Sequence, residues 1–176
     1  MKNEMRMEFD ALSENEGFAR VAVAAFITPL DPTMEDIADV KTAVSEAVTN
    51  AVIHGYGRYK KNQSDEAWKC GEEPENTADK IRLYCRIERD VLHIEVEDHG
   101  KGIENVEQAM EPLFTTLPGQ NRSGMGFSFM EAFMDDLEVE SEHGKVTVVR
   151  MVKKLGVSPW INEGELEICG RNISTD

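Results

Sequence analysis

Residues 36–55, DIADVKTAVSEAVTNAVIHG, carry the pattern from which the rest of the chain is read. Ile37, Val40, Val44, Ala47, Val48 and Ala51 recur with a 3.6-residue rhythm, which predicts one helix with one buried stripe. Asp31 or Thr33 is placed to cap its start, and Gly55 to stop it. Asp39, Glu46 and Asn50 fall on the side away from the stripe. Glu46 and Asn50 are four positions apart, so they share a face, one turn above the other. A charged helix face is ordinarily no more than a solvated one. The same pair also offers a carboxylate that accepts a proton beside an amide oxygen that holds a hard cation.

Upstream, Met5 to Phe9 alternates apolar and polar residues, which predicts a half-buried strand. Asn15 to Phe26 reads as a helix with its apolar side at Phe18, Val21, Ala22, Ala25 and Phe26 and Arg20 opposite; Pro29 and Pro32 then break the chain. Downstream, residues 57–79 are polar and without period, a loop insertion whose only large apolar anchor is Trp68. Ile81–Ile87 and Val91–Val96 alternate as two strands joined by a turn at Glu88-Arg89-Asp90. Residues 104–123 read as more loop than helix. A helix then opens after Ser123-Gly124-Met125-Gly126 and runs to about Met134, and a hairpin around Gly144 joins Leu137–Ser141 to Lys145–Val152. The tail after Leu155 has little pattern. Strands and helices do not alternate strictly, so the fold class is α+β: a two-layer sandwich whose mixed, mostly antiparallel sheet carries helices on one face.

A length of 176 residues predicts one domain, large enough to bury a core without staples. The formal net charge of −15 argues against nucleic acid and against an anionic membrane surface, and suits a basic protein partner. The three cysteines, Cys70, Cys85 and Cys169, form no CxxC, and His54, His93, His99 and His143 have no metal-ligand spacing. The start of the chain does not read as a signal peptide, and no apolar run is long enough to span a bilayer. A reducing cytoplasm is the expectation.

Three elements carry candidate chemistry. Glu46 and Asn50 are the first. The second is Asp98-x-Gly100-x-Gly102 at the end of a strand, where glycines let the backbone turn and approach a ligand while the aspartate can accept from an exocyclic amine. The third is Gly124-x-Gly126 at a helix start, where free N–H groups favour phosphate, with Arg122 just before it. Taken singly, DxGxG and GxG are also ordinary turn sequences, and Arg122 and Arg20 ordinary surface arginines. Neither a Walker sequence nor a GxGxxG after a strand is present, so a nucleotide would be held by another architecture.

Taken together, SEAVTNAVIHGY, DHGKGI, PLFTT and RSGMGF resemble the ATP-binding family of gyrase, histidine-kinase and MutL type, known as GHKL. Within it the chain is most similar to the anti-sigma serine kinases of endospore formers, through MKNEM, ALS-x-NE-x-FAR, LDPTM and FMDD. The resemblance covers about residues 1–56 and 80–155. It implies the Bergerat ATP-binding fold, with one kinase domain over 1–155 and an unassigned tail at 156–176. It further implies a homodimer that uses ATP and Mg²⁺. Such a protein inhibits a sporulation sigma factor of sigma-F type and phosphorylates a serine on an anti-anti-sigma factor.

Residue by residue, the resemblance makes Glu46 the general base and Asn50 the Mg²⁺ ligand. Asp98 becomes the adenine acceptor, in a pocket shaped by Gly100 and Gly102. Residues 104–123 become a lid holding Thr115 and Thr116. Arg122, Gly124 and Gly126 become phosphate contacts, Met125 between the two glycines joins the nucleotide-binding residues, and Arg20 becomes the sigma-factor contact.

The chain departs from the family at the 57–79 insertion and in its tail. It also departs at Gly144-Lys145-Val146-Thr147, where the family has Gly-Thr-Thr, and this leaves open whether Thr147 supports the adenine. A binding module that holds ATP and sequesters its partner without catalysis is the alternative, discriminated by Glu46. The ATP-binding half of a histidine kinase is a weaker one, since no phospho-acceptor helix pair precedes the motifs.

Overall fold

The structure, a computed structural model, describes residues 2–57, 79–113 and 124–156. Nearly all of the 57–79 insertion, Thr115, Thr116, Arg122, Cys70, Cys169 and the tail from residue 157 lie outside the described residues.

Strand β1 (Lys2–Asp10) leads into helix α1 (Ser13–Ile27), a short 3₁₀ turn and helix α2 (Met34–Asn50). Strands β2 (Lys80–Glu88) and β3 (Val91–Asp98) form a hairpin, followed by the short helix α3 (Val106–Met110) and helix α4 (Gly126–Phe133). Strands β4 (Asp136–Glu142) and β5 (Val146–Lys154) close the chain. The five strands make one sheet in the order β1-β2-β3-β5-β4, and every described pairing is antiparallel.

The period-2 pattern of the strands sorts their side chains cleanly. Ile81, Leu83, Cys85 and Ile87 of β2, Leu92, Ile94 and Val96 of β3, and Val149 and Met151 of β5 point inward and are buried under the helices. Each large side chain in that set contributes about 1.5–3 kcal/mol through the surface it removes from water. Cys85 belongs to this core, and burial pushes its thiol up to about 12, so it packs and does not react.

The other face of the sheet is a ladder of charges. Arg82 bonds Glu8 on one side and Glu97 on the other, each at 2.9 Å, and Arg150 bonds Glu95 at 2.9 Å and Glu140 at 2.7 Å. Exposed pairs of this kind add little stability. Three of the four pairs, Glu8–Arg82, Arg82–Glu97 and Glu95–Arg150, sit directly opposite one another in the ladder and so reinforce the register, while Glu140 reaches Arg150 diagonally.

Helix α2 is the element the core is built on. Val40, Val44, Ala47, Val48 and Ala51 are buried, as the rhythm predicts, Ala43 joins them, and Ile37 is only partly buried. Of the two candidate caps, Thr33 takes the position: its hydroxyl accepts Asp36 N–H at 3.1 Å, and Asp36 accepts Thr33 N–H at 3.2 Å. Asp31 instead adopts a left-handed conformation, φ 48°, at the end of the 3₁₀ turn. The helix does not run uniformly to Gly55; Ala51–Gly55 widen into a single π turn, a distortion often found at functional sites.

Two expectations are corrected. Helix α1 buries Ala19, Val23 and Ile27, whereas Phe18 and Val21 are 58% and 57% exposed. Small residues let α1 lie close to α2, and that close approach selects the face. Residues 106–110 are helical where loop was expected, capped by Asn105, whose side chain accepts Gln108 N–H at 3.0 Å.

Asp39 is not on a solvated face either. It accepts from Lys153 Nζ at 2.9 Å, and Lys153, 8% exposed, also donates to the Phe133 carbonyl at 2.8 Å. Asp36 adds a further tie by accepting Gly156 N–H at 3.0 Å. Replacing Asp36 with Ala removes the carboxylate half of the capping box and this tie together, while the Thr33 hydroxyl keeps the backbone N–H of position 36. The expected loss is about 2 kcal/mol of unfolding free energy, read by urea denaturation. A loss below about 0.5 kcal/mol would show that water replaces those bonds at no cost.

Candidate functional site

A cavity of about 1060 Å³ opens between α2, the end of β3, the loop after it, the start of α4 and β5. Glu46 and Asn50 reach it from α2, Asp98 from the last position of β3, Gly124, Met125 and Gly126 from the start of α4, and Thr147 and Val149 from β5. Each arrives for a local reason. The shared face of α2 that carries Glu46 and Asn50 points away from the core stripe. Asp98 ends an inward-facing strand row that is otherwise apolar, so its carboxylate is buried, with 4% exposure.

Glycines bring these parts within reach of one another. A methyl group on Gly126 would lie 3.1 Å from Glu46 Oε2 and 3.2 Å from Asn50 Nδ2, so the start of α4 rests directly on the α2 pair. A methyl on Gly55 would stand 2.6 Å from Asp98 Oδ1, and one on Gly100 would collide with the Gly55 backbone. Gly102 turns with φ +67° against the Glu142 carbonyl. The end of α2 is thereby clamped to the loop after β3. Lys101 N–H donates to the Gly55 carbonyl at 2.9 Å, and Tyr56 Oη accepts His99 N–H at 2.9 Å while donating to the Lys80 carbonyl at 2.6 Å.

The electrostatics follow from this packing. Burial pushes the Asp98 carboxyl up to about 6 from 3.8; Gly100 N–H, donating to Oδ1 at 3.0 Å, works against that rise. Helix α4 opens at Met125, where among the described residues no side chain caps it, and its start faces the cavity, a place for its first N–H groups to meet a ligand or water.

Of the residues singled out from the sequence, Glu46, Asn50, Asp98, Gly102, Gly124, Met125 and Gly126 line this one cavity, and Gly100 shapes its wall. Arg20 does not line it; it lies on α1, its side chain 45% exposed, and pairs with Glu16 at 3.3 Å. Thr115, Thr116 and Arg122 fall outside the described residues. The structure adds His54, Lys101, Ile103, Asn105, Gln108 and His143 to the lining, and brings Thr147 into it. His54 follows Asn50 by four positions, so helical spacing could have found it. The hairpin that carries His143 and Thr147 is legible locally, but the pairing of β5 with β3, which sets Thr147 opposite Asp98, is revealed by no local pattern.

A family described as the histidine kinase-like ATPase domain matches residues 9–153. A protein of Clostridium perfringens (strain SM101 / Type A) named anti-sigma F factor is 53% identical over 155 residues, covering 88% of this chain and 99% of its own. An anti-sigma F factor of Bacillus subtilis (strain 168) is 47% identical over 158 residues, covering 90% and 97%. Among solved structures, the RsbU and RsbW domains of a Mycobacterium tuberculosis protein superpose with a TM-score of 0.56 at 18% identity. That match covers 87% of this chain and 32% of the longer one, and it speaks to the fold alone.

Proposed function

The chain belongs to the histidine kinase-like ATPase domain family, and within it to the anti-sigma F factors, and from that membership and the cavity we propose an ATP-dependent anti-sigma factor that is also a protein serine kinase. In this reading it binds a sporulation sigma factor of sigma-F type while holding ATP, and phosphorylates a serine on an anti-anti-sigma factor. The observation that carries the kinase part is that a methyl group on Gly126 would lie 3.1 Å from Glu46 Oε2 and 3.3 Å from Asn50 Oδ1. A proton acceptor and a hard oxygen ligand thus stand about one missing side chain away from a helix start.

Those residues fit the groups that the family implies. The Asn50 amide oxygen suits Mg²⁺, and the start of α4 at the cavity, which a side chain at Gly126 would crowd, suits phosphate oxygens. Bound Mg-ATP supplies a γ-phosphoryl group whose transfer needs positioning and charge neutralisation more than covalent help. Glu46 accepts the proton of the incoming serine hydroxyl. Asp98 accepts from the adenine amine, and the clamp through Gly55 and Tyr56 holds it in place.

Arg20 is assigned to partner binding. In support, it is exposed beside Phe18 and Val21, two apolar residues left open to solvent. The assignment extends to one ATP-binding domain over 1–155, with the 57–79 insertion and the 156–176 tail outside it, and to a homodimer in the cytoplasm. Among the described residues, no helix is long and apolar enough to cross a membrane.

Calorimetric titration with Mg-ATP tests the site. Asn50→Ala is expected to weaken binding about tenfold or more, with loss of its Mg²⁺ dependence. Equal, Mg²⁺-independent affinities for both proteins would remove Asn50 as the metal ligand.

A further inference from the structure

Ser141, on β4 behind the cavity wall, makes three polar contacts with one hydroxyl. It accepts Ile103 N–H at 2.8 Å and lies 2.8 Å from the Val146 carbonyl, which can only accept. A serine hydroxyl has one proton, so that proton belongs to Val146. The third contact, 3.0 Å to Thr147 Oγ1, is then donated by Thr147. With its only proton directed to Ser141, Thr147 has nothing but lone pairs to offer the cavity it lines. Its cross-strand partner in the β3–β5 ladder is Asp98, which lines the same cavity and, as a carboxylate, also only accepts. Cross-strand neighbours have Cβ atoms about 4.5–5.5 Å apart. Two hydrogen bonds near 2.9 Å from a single nitrogen reach two acceptors about that far apart.

We propose that Ser141 is a specificity-determining residue of the site: by taking the Thr147 proton it makes Asp98 and Thr147 an all-acceptor cleft for the exocyclic amino group of a 6-aminopurine, and against the oxygen of a 6-oxopurine. This rests on the reading of the cavity as a nucleotide site, to which it adds the roles of Ser141 and of the Thr147 proton. Ser141 touches no ligand itself; it acts by fixing which way the Thr147 hydroxyl faces.

The test is calorimetric titration of the full chain with Mg-ATP and with Mg-ITP, the 6-oxo analogue. The wild-type chain is expected to prefer ATP. Ser141→Ala is expected to reduce that preference about fivefold or more, because the freed Thr147 hydroxyl can turn its proton toward the 6-oxygen. Thr147→Val, which leaves Ser141 and its backbone contacts in place, is expected to narrow the preference as well. In the Thr147→Val background, Ser141→Ala is expected to leave the ratio unchanged. An unchanged ratio in either single variant overturns the assignment. The same shift from Ser141→Ala in both backgrounds overturns it too, by showing that Ser141 acts through packing alone. If the wild type bound neither nucleotide, the nucleotide reading itself would fall and take this one with it, whereas ATP binding with an unchanged ratio sinks this one alone.

Discussion

Glu46→Gln is expected to slow phosphoryl transfer to a serine-bearing anti-anti-sigma partner by about 10²–10⁴-fold. The change is nearly isosteric, so Asn50 and the start of α4, which meet Glu46 around Gly126, keep their places. Mg-ATP affinity should therefore stay within about threefold of wild type, as should binding of the sigma factor. The loss belongs to the chemical step alone, because an amide cannot take the serine proton. Single-turnover transfer of labelled γ-phosphate measures it. If Glu46→Gln transferred as fast as wild type, the base would have to be another group. If the wild type itself transferred nothing, the kinase claim would fail and a sequestering module that holds ATP would remain.

Asp98→Asn is expected to move stability and nucleotide affinity in opposite directions. The carboxyl is pushed up to about 6 by burial, against 3.8 ordinarily. A raised value means that the protonated form is the one the fold favours. That contribution is fully present below about pH 3.8 and is lost as pH rises through about 6. At pH 7–8 the ligand-free chain therefore carries a buried charge, at a cost of up to roughly 3 kcal/mol. A neutral amide removes it, so the variant should resist urea better than wild type at pH 8, with the gap shrinking toward pH 4.

Nucleotide binding should weaken about 100-fold. In the variant the amide oxygen would accept Gly100 N–H in place of the Asp98 Oδ1, and this turns the amide NH₂, a donor, toward the adenine amine. For the same reason, wild-type affinity should decline as pH falls below about 6. A variant that is less stable at pH 8, or that binds nucleotide as well as wild type, would refute this account of Asp98.

Several parts of this molecule are readable along the chain because they obey local rules. The α2 stripe, the alternation in β2 and β3, and the glycine motifs each depend on residues within one or two turns of one another. The face of α1 escapes such a reading for a physical reason. Counting apolar residues favours Phe18 and Val21, but close packing on α2 favours the small Ala19 and Val23, and only the partner helix decides between them. Lys153 and Asp39 look like surface charges in sequence, yet they form a half-buried tie between β5 and α2.

By itself the sequence determined the five strands and the three longer helices, the α+β class, the family, and which side chains have the chemistry of a base, a cation ligand and an amine acceptor, but not the short helix α3 or the π turn that ends α2. Tertiary structure alone decided that Gly126 rests on Glu46 and Asn50, that Gly55 closes on Asp98, and that Ser141 turns the Thr147 hydroxyl. Periodicity and capping are set by backbone geometry over a few residues. The site is set by strand register and by how closely two backbones approach where a side chain is missing, and those distances exist only once the sheet and helices have packed.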